Sequence, residues 1–362
     1  MQTPEKLHIL LISNMFPSKK DPLFGIFVKN FKTKLEELGV QFPSHALIRG
    51  KSGNPFRKFF IYLLHYLRIL RAALGSNYDL IYVHYLMHHI PILWLLLTLK
   101  KKPLVVNVHG SDIVELPTSG FLWSVSQSIM RKIDLLIVPT TYFQHLVIAR
   151  YPFLEQSKVF ISPSGGIDAK RFFPTTREPG GPFVLGYVSR FIREKGWETF
   201  LDALELLLQS EPQYRAVIAG KGPDEEKIKK HLSEHKLGDR VDFLGLVPQK
   251  DLGQVYGRMD LFVFPSYRKA ESLGLTGLEA MACGVPVVAC ESGGPMTYIR
   301  EKQNGYLFEP QNAKDLYQKI LQYRSIGSKE REHMRRECLE TAKYFDDAAV
   351  AKRLYKRLEQ LI

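Results

Sequence analysis

Short runs of β-branched and other apolar residues alternate with helix-length segments from Leu7 onward, and that alternation restricts the chain to parallel sheets covered by helices on both faces. The first runs are LHILLIS (7–13), DLIYVH (79–84), LVVNVH (104–109) and DLLIVP (134–139). PTTREPGGP (174–182) interrupts the pattern with Pro and Gly. FVLGYV then opens a second series, which continues through RAVIAG (215–220), VDFLG (241–245), LFVFPS (261–266) and VPVVA (285–289). A chain of 362 residues suits two cores better than one. The expectation is an α/β fold of two wound domains, 1–173 and 182–340, followed by a helical segment, 341–362. Ligands of such sheets bind beyond the carboxyl ends of the strands, so facing domains would create a cleft there.

Composition narrows the function classes. The longest nearly uninterrupted apolar run, Ile90–Leu99, is about half of the roughly 20 residues that cross a bilayer, so no transmembrane helix is expected. MQTPEKLHILLIS has too short an apolar core for a secretory leader, which points to the cytoplasm. Cys283, Cys290 and Cys338 are odd in number and lack a CxxC pair; they read as buried apolar groups or free thiols, and no metal is expected.

The net charge of +13 is concentrated, because residues 1–165 hold 19 Lys plus Arg against 9 Asp plus Glu. In NPFRKFFIYLLHYLRILRAAL (54–74), Arg57, Lys58, Arg68 and Arg71 interleave with Phe, Tyr, Leu and Ile. A helix there carries a basic rim around an apolar surface, which suits peripheral attachment to an anionic membrane face, with Lys100, Lys101 and Lys102 adding to it if they share that side. The same pattern suits a helix that buries its apolar face on a sheet. No nucleic-acid motif accompanies the charge, and no nucleic-acid partner is expected.

The richest stretch for chemistry is ESLGLTGLE (271–279), which runs into AMACGVPVV. It sets Glu271 and Glu279 around a glycine-marked helix start, where free backbone amides favour a phosphate or a sugar oxygen. At about 1.5 Å per helical residue the two carboxylates lie up to about 12 Å apart, a span that suits opposite ends of an extended ligand such as a nucleotide sugar. SRFIREKG (189–196) supplies Arg190 and Lys195 after a strand, and no DxD triplet is present. Growing charge on a departing diphosphate is therefore assigned to fixed cations rather than to a metal.

SYRKAESLGLTGLEAMACGVPVVACESGGP (266–295) resembles the signature of glycosyltransferase family four, the retaining enzymes that use nucleotide sugars. SNMFPSKKDPLFGIFVK (13–29), HGSD (109–112), SPSGGID (162–168), GYVSRFIREKG (186–196) and IAGKGP (218–223) follow the family's order. The resemblance implies two facing Rossmann-like domains of GT-B type, the first binding acceptor and the second donor, with the final helix crossing back to the first. It places Arg190 and Lys195 on the diphosphate, Glu279 on the ribose hydroxyls and Glu271 on the donor sugar. The backbones of Ser272, Leu273, Gly274 and Leu275 lie beside them, and Gly25, Gly166 and Gly245 are donor-cleft glycines, with Gly165 beside Gly166. His109 is a catalytic-site hydrogen-bonding group; Asp112 also reads as a helix cap.

Ser272-Leu273 stands where the family usually has Gly-Phe, which touches sugar preference, and Thr297 stands where many relatives carry a carboxylate. The implied activity is transfer of a hexose from a UDP- or GDP-linked donor to a hydroxyl of a growing or lipid-linked cell-surface saccharide, such as an exopolysaccharide, with no further cofactor. The alternatives are a nucleotide-sugar epimerase of similar fold and a non-catalytic sugar-nucleotide-binding protein.

Overall fold

The computed structural model describes residues 6–22, 24–75, 77–99, 102–163, 165–174, 180–211 and 213–362. Lys100 and Lys101 of the basic patch, and 175–179 of the Pro/Gly stretch, lie outside the described residues. The chain divides into two compact units, 1–165 with 347–362 and 166–346.

The first unit carries the parallel strands β1 (His8–Phe16), β2 (Gln41–Arg49), β3 (Leu80–His84), β4 (Leu104–Asn107), β5 (Leu135–Val138) and β6 (Val159–Ile161), ordered β2-β1-β3-β4-β5-β6. Side chains alternate between its two faces, as a period of two requires. Leu10, Ile12, Ile81, Val83, Val106 and Leu136 enter one core layer with Ile129 and Met130 of helix Gly120–Lys132 and Leu93 of helix Ile90–Leu99. Ile9, Leu11, Leu80, Tyr82, Val105 and Ile137 enter the other. That layer is closed by Val28, Phe31 and Leu35 of helix Ile26–Glu37 and by Ala351, Leu354 and Leu358 of the C-terminal helix Asp347–Glu359.

In the second unit β7 (Val184–Arg190), β8 (Arg215–Lys221), β9 (Val241–Gly245), β10 (Leu261–Phe264), β11 (Val287–Cys290) and β12 (Gly305–Phe308) form a parallel sheet ordered β12-β11-β10-β7-β8-β9. One face packs Leu185, Tyr187, Ile218 and Val263 against Phe200, Leu201 and Leu204 of helix Trp197–Ser210. The other packs Val188, Val217, Phe262 and Val287 against Leu278 and Met281 of helix Leu275–Ala282 and Cys338 of helix Ser328–Tyr344.

Three strands were not foreseen: β2, β6 and β12, all at sheet edges. β2 contains Pro43 and is exposed along its first half, a pattern allowed only where one side of the strand needs no partner. The unit boundary falls before the 174–182 stretch because Ile167 and Phe172 already pack in the second core and Ile167 bridges to Asp346. Two separate helices, Ser328–Tyr344 and Asp347–Glu359, meet within the expected terminal segment, and only the latter joins the first unit.

Candidate functional site

β7 ends at Arg190, and the chain turns through Arg193–Lys195 to Gly196, whose φ is 72°. A Cβ at Gly196 would lie 2.1 Å from the Pro265 carbonyl oxygen, so only glycine lets this turn rest on the loop after β10. The contact delivers Lys195 to Glu271: its ammonium pairs with Glu271 Oε2, the oxygen that also accepts from Ser266 Oγ at 3.0 Å. The side chains are 17% and 13% exposed, sheltered yet open enough to meet a ligand. One ammonium proton serves Glu271, and the others remain to be given.

The Glu271 loop is braced from behind. Gly294 N donates to the Glu271 carbonyl at 2.9 Å, and a Cβ at Gly294 would sit 2.5 Å from the Ser272 carbonyl oxygen. Gly293-Gly294 thus seats the loop after β11 on the Glu271 loop. Gly274, at φ 78°, begins helix Leu275–Ala282; its carbonyl accepts from Tyr298 Oη at 3.0 Å, and a Cβ would press on Pro295 and Phe264. Gly277 N donates to the Gly274 carbonyl at 3.0 Å, and the amides of Leu275 and Thr276 ahead of it carry the helix's positive end. Leu273 is buried in the core, so of this residue only the backbone can serve a ligand, while Ser272 is half-buried.

Glu279 lies on the same helix, buried, with Oε2 accepting from Tyr256 Oη at 2.7 Å. Burial pushes its carboxyl up to about 7, against the opposing pulls of the Tyr256 hydrogen bond and the Arg171 charge. Tyr298 feels both carboxylates: burial, then Glu271 and Glu279, hold its phenol well above the usual range. Arg190 is exposed and has no side-chain partner among the described residues. Lys195 and Glu271 are therefore brought into contact, while Arg190 stands free at its strand end. Gly245 ends β9 at φ 63°, and Gly166 has φ 73°.

In the first unit β4 stops at Asn107, so His109 sits in the following loop rather than on the strand, because its amide donates to Asp112 Oδ1 at 2.8 Å. Asp112, buried, also accepts from Leu86 N at 2.9 Å, and burial pushes its carboxyl up to about 6. His109 Nε2 is 2.9 Å from His84 Nδ1, with the rings stacked. Burial drives the His109 imidazole down to about 3, so it is a neutral hydrogen-bonding group at physiological pH. Gly25, at φ 69°, starts helix Ile26–Glu37, and a Cβ there would lie 2.5 Å from the Met15 carbonyl carbon.

Sequence reasoning missed Ser266, which opens the quoted motif five positions before Glu271, and Tyr256, Tyr298 and His84, which reach the motif residues only through the fold. It also missed Glu205, His231 and His235, whose metal-capable atoms lie within 4.8 Å of one another; the i,i+4 histidines of HLSEH were the available signal.

Residues 168–340 match the family model "Glycosyl transferases group 1", and residues 26–171 match "Glycosyltransferase Family 4". A D-inositol 3-phosphate glycosyltransferase of Corynebacterium jeikeium is 32% identical over 67% of this chain and 62% of its own length. The sulfoquinovosyl transferase of Arabidopsis thaliana is 31% identical over 60% of this chain and 44% of its own. The alignments thus span less than two thirds of either relative. Among solved structures, a sucrose-phosphate synthase from Thermosynechococcus elongatus shares the fold at TM-score 0.76 and 22% identity, covering 98% of this chain and 99% of that one. Anabaena HepE in complex with UDP does so at 0.75 and 20%, covering 98% and 100%.

Proposed function

The chain belongs to the glycosyltransferases of family four, and on that premise we propose that it moves a hexose from a nucleotide-diphosphate sugar to a hydroxyl of a saccharide or lipid-linked saccharide, retaining configuration and without a metal. The observation that carries this reading is the contact of Lys195 with Glu271 beside the helix start at Gly274, with Glu279 further along the same helix. The free protons of Lys195, and the unpartnered Arg190, meet the diphosphate. Glu271 accepts donor-sugar hydroxyls through the oxygen that Lys195 and Ser266 leave open, and Glu279 accepts from the ribose. His109, neutral, orients the acceptor in the first unit. The bond from the anomeric carbon to phosphate oxygen breaks as the acceptor oxygen bonds on the same face, and the acceptor proton passes to the departing phosphate. No side chain becomes a covalent partner; the protein's work is positioning and charge stabilisation.

The names of the relatives support transfer rather than epimerisation, and the UDP held by the Anabaena protein supports a nucleotide donor. The exposed, basic-rimmed helix Pro55–Ala73 supports work at an anionic membrane face on the cytoplasmic side, in building a surface polysaccharide or glycolipid. Thermal melts with UDP, GDP, ADP and their sugars test the donor class. A ligand at 100 times its dissociation constant adds about 2.7 kcal/mol. One diphosphate series should raise the melting temperature, and none doing so would reject the donor reading.

A further inference from the structure

Where β1 and β2 end, the first unit holds a pocket of about 270 Å³, close to the lower end of the roughly 300–1,000 Å³ typical of small-molecule sites. Asn14 lines it, 5% exposed; its Nδ2 donates to Tyr62 Oη at 3.2 Å, while its buried Oδ1 has no partner. The buried hydroxyl of Ser52, in the same wall, has none either. Two orphaned polar atoms in one pocket are costly unless a ligand or water satisfies them. The wall also contains Lys51 and Lys58 and no carboxylate. Neither ammonium has an acidic partner among the described residues, and nearby Asp21 is engaged by the backbone amide of Lys51 at 2.9 Å. Tyr62 Oη, having accepted from Asn14, retains a proton to give.

The pocket therefore asks for negative charge and for hydroxyl groups together. We propose that it receives a phosphate-bearing polyol, the polar head of the acceptor, with Lys51 and Lys58 on the phosphate and Asn14 Oδ1 and Ser52 Oγ on the hydroxyls. That this ligand is the acceptor rests on the glycosyltransferase reading; that a phosphorylated polyol binds here does not. A soluble sugar phosphate and a lipid headgroup present the same chemistry. Lys58 shares its helix with the exposed Phe56, Phe59 and Phe60, where a lipid tail would find apolar surface.

The test uses the full chain in two arms. In the first, calorimetric titration compares hexose 6-phosphate with free hexose and with inorganic phosphate. In the second, sedimentation compares phosphatidylglycerol vesicles, whose head is a phosphorylated polyol, with phosphatidylserine vesicles of equal net charge. Preference for the phosphorylated polyol in the first arm identifies a soluble source; preference in the second alone identifies a lipid. In whichever arm responds, Lys51→Ala should weaken that preference roughly tenfold or more, as expected for a lost charged hydrogen bond. Ser52→Ala, in a loop, should weaken it too and guards against a poorly folded Asn14→Ala. No preference in either arm, or a preference that survives both substitutions, overturns the proposal. Nucleoside diphosphate binding, titrated in parallel, stays at the parental level in these variants; its absence from the parent would instead count against the donor site.

Discussion

Glu279 is buried against Tyr256, and its carboxyl sits near 7 where an unfolded chain would titrate near 4.5. Between those values the folded protein keeps a proton that the unfolded chain has released. This group's contribution to stability is thus fullest below 4.5 and is lost as pH rises through about 7. Glu279→Gln keeps a partner for Tyr256 and removes the titration. Its melting temperature should exceed the parent's near pH 8, with the gap narrowing toward pH 5. Affinity for a nucleotide-diphosphate sugar, which lacks the terminal phosphate that would itself titrate in this range, should move the other way in the parent, rising from about pH 6 to pH 8 as the carboxylate forms to accept from ribose, and should be flat in the variant. Melts and titrations across that range check both slopes, and a parental slope in Glu279→Gln would remove the ribose assignment. The motif made Glu271 and Glu279 legible because their spacing is local. Tyr256 was not, since it is 23 positions from Glu279 and only the packing of that helix on β10 and its neighbours brings them together.

Among the elements, helix Pro55–Ala73 separates most clearly from the others. It buries only His65 and Ile69, while Phe56, Phe59, Phe60, Leu63, Leu64 and Leu67 face solvent beside Arg57, Arg68 and Arg71. The sequence allowed either a buried or an exposed apolar face, and periodicity could not choose because the face is apolar in both cases. The exposed pattern fits a membrane surface, at about 1 kcal/mol for each basic residue close to it. Cosedimentation with anionic vesicles should fall with added salt and fall sharply in Phe59→Ser/Phe60→Ser, whose enzymatic activity on a soluble acceptor should persist. Binding insensitive to both salt and this pair would contradict the assignment. Central strands, buried on both faces, announce themselves as apolar runs; the three strands missed are all edges, β2 because it is exposed along its first half, β6 and β12 because their runs are only three and four residues long.

At the scale of the whole chain, the two-sheet architecture was readable because the strand and helix alternation occurs twice. The exact partition was not, since Ile167 and Phe172 join the second core before the Pro/Gly stretch, and the return of the last helix to the first unit was expected from the family resemblance rather than from local pattern. Such pairings depend on shape rather than on local pattern. The proposed chemistry turns on Lys195 stabilising a departing diphosphate. Its direct test is turnover by the full chain, in chelator, with the product's anomeric configuration read by nuclear magnetic resonance and the rate compared in Lys195→Ala. The parent should transfer sugar with configuration retained, and the variant should be folded but about 10²–10³-fold slower, the usual cost of removing one group that stabilises transition-state charge. A variant turning over at the parental rate would contradict the account.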